Sequence, residues 1–114
     1  MVINIAMPDS DDAVPEEGNI VTAQGMIYVH IPVPFDAPTV VHLRTFIKIM
    51  QAFADQRVWV HCALNYRVSA FLYQYLRLVQ GMPEEEAKKA MFPSWEPDTE
   101  WSRFMTYTNK ELAL

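Results

Sequence analysis

The stretch Val58-Trp-Val-His-Cys-Ala-Leu-Asn-Tyr-Arg-Val-Ser-Ala-Phe71 constrains this chain more than any other. Val58, Trp59 and Val60 read as a buried strand, His61 to Arg67 as a short loop, and Val68 onward as an amphipathic helix. A strand that runs through a short loop into a helix is the repeating unit of a parallel sheet. The same junction aims backbone N–H groups and the positive end of the helix dipole at one place, which favours an anion or a thiolate. Cys62 stands where the strand ends, and it is the chain's one cysteine. A lone cysteine makes no internal disulfide and cannot by itself anchor a structural zinc, so its thiol is either core filler or chemistry.

Composition narrows the setting. At 114 residues the chain suits a single domain, and 51% hydrophobic with 20% charged residues allows a real core. The formal net charge of -5 and the absence of a Lys/Arg run argue against general nucleic-acid or anionic-membrane binding, which need a basic face. No apolar run approaches the roughly 18 residues of a spanning helix. No basic region followed by an apolar core opens the chain, so the cytoplasm is the expected compartment.

In chain order, Val2-Ile-Asn-Ile-Ala reads as a buried strand that begins abruptly, as in a shortened form of a larger fold. Pro8 to Pro15 is an acidic loop; its Asp9, Asp11 and Asp12 suit a solvated turn better than metal ligands. Glu16 to Gln24 reads as a short helix ended by Gly25, and Met26 to Val33 as a second strand entering the loop Pro34 to Thr39. Thr39 to Asp55 carries Val40, Leu43, Phe46, Ile47, Met50 and Phe53 at helical spacing. After the Cys62 loop, helices are expected over Val68 to Gln80, from Pro83 to about Met91, and from Asp98 or Thr99 through about Leu112. The order predicts an α/β fold with a short three-stranded parallel sheet flanked by helices. Ligand sites in such sheets lie at the carboxyl ends of the strands, so the Asp36 and Cys62 loops should be neighbours. Three strands also leave an edge open, which predicts self-association unless another segment pairs there.

The chemistry centres on Cys62. A thiolate is the reactive form, and a helix N-terminus with cationic neighbours stabilises it. Arg67 offers a planar fork of donors to two phosphate oxygens, while backbone N–H groups from Ala63, Leu64, Asn65, Tyr66 and Arg67 can surround the rest. Asp36 is the candidate general acid, in a loop expected to overhang Cys62, with the cap of the following helix as its other reading, a role Thr39 also suits. His61 reads as a hydrogen-bonded neighbour of the site. His30 and His42 read as packed or surface imidazoles. Trp59, Tyr66, Trp95 and Trp101 read as core or pocket wall, since no basic residues interleave with them.

These residues resemble the cysteine-dependent protein-tyrosine and dual-specificity phosphatase superfamily. The match lies in Val58-Trp-Val-His-Cys followed by Arg67 and Ser69 at a helix start, and in Tyr28-Val-His-Ile-Pro-Val-Pro-Phe-Asp36. The chain is most similar to the small bacterial tyrosine-phosphatase-like proteins, over nearly its whole length. The resemblance implies a phosphocysteine at Cys62, Arg67 as phosphate clamp, Asp36 as acid, Ser69 as an aid to thiolate departure, and no metal or other cofactor. It also implies a phosphorylated protein or a small phosphate ester as partner. The loop departs from the superfamily pattern: four residues rather than five separate Cys62 from Arg67, and Val68 stands between Arg67 and Ser69. A one-residue offset on a helix turns a side chain by about 100°. Asn65 answers the missing loop glycine, because Asn tolerates left-handed backbone angles. A four-residue spacing also resembles the loop of rhodanese-like sulfurtransferases, which carry a cysteine persulfide. A binding module that holds an anion without turnover is the third reading.

Overall fold

The computed structural model describes residues 1–10 and 13–114. Asp11 and Asp12, and with them the metal reading of the acidic turn, lie outside the described residues. The elements are β1 (Val2–Asn4), α1 (Glu17–Ala23), β2 (Tyr28–His30), α2 (Val40–Ala52), β3 (Trp59–His61), α3 (Tyr66–Leu78), α4 (Glu84–Ala87) with a 3₁₀ turn over Lys88–Ala90, and α5 (Thr99–Phe104). The sheet is parallel in the order β2-β1-β3. From β1 the chain crosses first to one side and then to the other, and that reversal opens a crevice at the carboxyl ends of the strands. The parallel α/β architecture expected from the element order is the one observed.

Register explains what each face carries. Val2 lies beside Tyr28 and Trp59, Ile3 beside Val29 and Val60, and Asn4 beside His30 and His61. Side chains alternate across a strand, so Ile3, Val29 and Val60 share one face, and Val2, Asn4, Tyr28, His30, Trp59 and His61 share the other. The first face meets α2 and α3 in a core that includes Ile3, Leu43, Phe46, Ile47 and Phe71, joined by Trp101 and Phe104 from α5. The second face is covered thinly, because α1 has seven residues and buries only Val21.

Two expectations need correction on this account. The strand around Trp59 is not buried throughout: Trp59 is 69% exposed, since it sits on the thinly covered face of an edge strand. The final helix also stops at Phe104 rather than near Leu112. The carbonyl of its last residue and that of Tyr107 beyond it are taken from outside: Gln74 Nε2 donates to the carbonyls of Phe104 and Tyr107, and Arg77 Nη2 to that of Tyr107. The Thr106 hydroxyl donates to the Arg103 carbonyl and the Thr108 hydroxyl accepts the Glu111 N–H, so both compete for local backbone groups. Leu112 still reaches the core, through turns.

The helix ends behave as their sequences dictate. Gly25 and Gly81 follow α1 and α3 with φ of 81° and 66°, the left-handed conformation in which a Cβ is strained. Thr39 caps α2 in a capping box with His42, which leaves Asp36 outside the cap.

Candidate active site

The Cys62 loop is built by one unusual backbone position. Asn65 has φ 64° and ψ 10°, the left-handed conformation its side chain tolerates, and its Oδ1 accepts the Cys62 N–H at 3.2 Å. That turn lets α3 start at Tyr66, earlier than the helical spacing of its apolar residues predicts. Among the described residues, none of the backbone N–H groups from Ala63 to Val68 meets a protein acceptor. Six free donors at the N-terminus of a 13-residue helix form an anion cradle whose floor is Cys62. Cys62 itself is buried, while Ala63, Leu64 and Asn65 are exposed.

Cys62 and Ala63 separate two pockets. One, of about 240 Å³, is lined by Phe35, Cys62, Ala63, Leu64, Tyr66 and Arg67. The other, of about 180 Å³, is more polar and brings Asn4, Glu17, Tyr28, His30 and His61 beside Cys62.

Arg67 lines the first pocket, yet it is 6% exposed. Its Nη1 donates to the Val33 carbonyl at 2.8 Å, and its guanidinium lies 5.5 Å from the centroid of the Phe35 ring. Nε is fully buried and has no partner among the described residues, a costly arrangement unless something else supplies an acceptor. Ser69 is buried, and its hydroxyl donates to the Tyr66 carbonyl at 2.6 Å. Asp36 sits on the exposed Phe35–Asp36 turn and makes no hydrogen bond among the described residues; its neighbour Phe35, not Asp36, lines a pocket with Cys62.

The second pocket adds Asn4 and Glu17, to which the sequence assigns no role, to His61, expected as a hydrogen-bonded neighbour of the site. His61 Nε2 meets Glu17 Oε2 at 2.5 Å. Asn4 Nδ2 donates to the Tyr28 hydroxyl at 3.0 Å and Asn4 Oδ1 accepts the Ala6 N–H. Burial raises the Tyr28 hydroxyl above its ordinary value of 10.0; the Asn4 hydrogen bond lowers it again, and the Glu17 carboxylate raises it further. His30 Nε2 lies 2.7 Å from the Ala6 carbonyl oxygen. Glu17 had been legible only as an acid in the first turn of α1, because its partner lies 44 residues away. Asn4, His30 and His61 each end a short strand after an apolar residue, and that recurrence of a polar residue was the available signal for the polar end of this face. No three or more His, Cys, Asp or Glu side chains among the described residues converge as a metal site.

No family model matches the sequence, and no curated protein matches it. Among solved structures, the chain is similar to a candidate phosphatase (DUF442) of Shewanella putrefaciens CN-32, with 34% identity and a TM-score of 0.81 over 97% of this chain and 73% of that one. Tk-PTP in its active form has a TM-score of 0.74 at 21% identity, over 97% of this chain and 76% of that one. P. aeruginosa TpbA in complex with pTyr has a TM-score of 0.69 at 17% identity, over 98% and 70%. At these identities Tk-PTP and TpbA bear on the fold alone.

Proposed function

The chain belongs to the DUF442 family of phosphatase-like proteins, and from that premise we propose that it hydrolyses phosphate monoesters through a phosphocysteine at Cys62. The observation that carries this reading is the ring of unpaired N–H groups from Ala63 to Val68 around a cysteine at a helix N-terminus, which matches a tetrahedral oxyanion. In the first step the Cys62 thiolate attacks phosphorus, a P–S bond forms, the P–O bond to the leaving group breaks, and Asp36 protonates the departing oxygen. In the second, Asp36 as carboxylate takes a proton from water, the water oxygen attacks phosphorus, and the P–S bond breaks to release inorganic phosphate and the thiolate. Arg67 clamps two equatorial oxygens, and its unpartnered Nε supports that role. Ser69 aids thiolate departure after its hydroxyl leaves the Tyr66 carbonyl, and His61 holds the strand end. The reaction needs no metal. The substrate is a phosphorylated protein or a small phosphate ester, and the whole chain acts in the cytoplasm as one domain that associates through its open sheet edge.

Hydrolysis of an aryl phosphate, measured with and without vanadate for the native chain and Cys62→Ser, tests this. Vanadate-sensitive turnover that disappears in Cys62→Ser is expected. Clean, folded protein with no Cys62-dependent turnover between about pH 5 and 8 overturns it. The inward turn of Arg67 onto the Val33 carbonyl favours a second reading, anion binding without turnover, for which phosphate binds by calorimetry and no ester is cleaved. The four-residue loop keeps sulfur transfer through a Cys62 persulfide as the remaining alternative, read out by thiosulfate-to-cyanide transfer.

A further inference from the structure

We propose that Trp101 is a positioning residue for the turn that carries Asp36, acting through an aromatic brace that links this turn to the Cys62 loop. The proposal rests on the phosphatase reading and on Asp36 as its acid. Trp101 is fully buried, and its indole N–H donates to the Phe35 carbonyl at 2.6 Å, across 66 residues of sequence. Its ring lies 5.9 Å from that of Phe35 and meets Trp95 edge-on at 5.8 Å. Trp95 in turn stacks on Tyr66 at 5.4 Å and 7°, and Tyr66 is the residue on which the Cys62 loop becomes α3.

The Asp36 turn is held from two elements. Arg67 of α3 takes the Val33 carbonyl at 2.8 Å, and Trp101 of α5 takes the Phe35 carbonyl. Pro34, between them, fixes one more backbone angle. Asp36 is exposed and has no side-chain hydrogen bond among the described residues, so its orientation comes from the backbone on which it sits. An acid must lie within hydrogen-bond reach of the leaving oxygen, and small misplacements of catalytic groups are costly. Trp101→Phe keeps the buried ring and removes only the donor, freeing the carbonyl of the residue that precedes Asp36.

The test compares a poor leaving group, phenyl phosphate, with a good one, 2,4-dinitrophenyl phosphate, since only the poor one needs its oxygen protonated. In Trp101→Phe, turnover of phenyl phosphate should fall about tenfold and that of the dinitrophenyl ester less than twofold. Trp101→Phe combined with Asp36→Asn should be no slower than Asp36→Asn alone. An equal loss on both esters, or losses that multiply, overturns the proposal. Asp98→Ala, an exposed change that removes the side-chain acceptor of the Trp101 backbone N–H at 3.0 Å, should show the same selectivity at smaller size and serves if Trp101→Phe does not fold. A second readout is independent of turnover. The Ala37 amide, bonded to the Pro34 carbonyl at 3.2 Å, should exchange its hydrogen about tenfold faster in Trp101→Phe relative to amides of β1. If the native chain shows no turnover the phosphatase reading fails by itself. Unchanged Ala37 exchange overturns the positioning role in either case.

Discussion

Asn65 shows how much one residue can decide. Its left-handed backbone turns the chain from β3 into α3 three residues after Cys62, and its side chain closes that turn on the Cys62 N–H. Alanine at this position loses the hydrogen bond and strains the left-handed backbone, whereas glycine loses only the hydrogen bond. Asn65→Ala is therefore expected to destabilise by about 2 kcal/mol and Asn65→Gly by about 1 kcal/mol, measured by urea unfolding; the reverse order would contradict the role given to the backbone. Arg67 carries the opposite lesson. Its place at the helix start was readable from the chain, but where its guanidinium points depends on Val33 and Phe35, more than thirty residues earlier.

The elements are short, so their ends matter in proportion. At the start of α2 the Thr39 hydroxyl accepts the His42 N–H at 3.3 Å, and His42 Nδ1 accepts the Thr39 N–H at 3.1 Å. That second bond needs an unprotonated Nδ1. Burial lowers the imidazole below its ordinary value of 6.5, so the unfolded chain takes up the proton first as pH falls. The stability contributed by the neutral ring is fully present above about pH 6.5 and is lost as pH drops below it toward the folded value. Urea unfolding midpoints should decline over that acidic limb, and His42→Gln should flatten the decline; an unchanged slope would remove His42 from the account. The shortness of α5 has its cause outside the helix, in Gln74 and Arg77, which capture the carbonyls a longer helix would have used internally.

At the scale of the molecule, the consequence of a three-stranded sheet is two edges unpaired among the described residues. The β3 edge is the more exposed to association, because Trp59 stands 69% open beside it and the strand itself carries no charged residue of the kind that discourages edge pairing. Sedimentation should show association that rises with concentration across the micromolar range, and Trp59→Glu should shift it toward monomer without a large change in unfolding midpoint. A native chain that sediments as a concentration-independent monomer would exclude the edge as an interface. No helix among the described residues is long and apolar enough to cross a membrane.

By itself the sequence determined the element order, the parallel sheet, the helical stripe of α2 and the strand–loop–helix junction with Cys62 at its hinge. These follow from local periodicity and from which residues tolerate which backbone angles, and both act over a few residues. Only the tertiary structure decided the rest: that Glu17 meets His61, that Arg67 turns inward onto Val33, and that Trp101 holds Phe35. Each of those pairs joins residues at least 34 apart. No local pattern encodes such a contact, because it exists only once packing has brought two elements together and left a buried donor or acceptor in need of a partner.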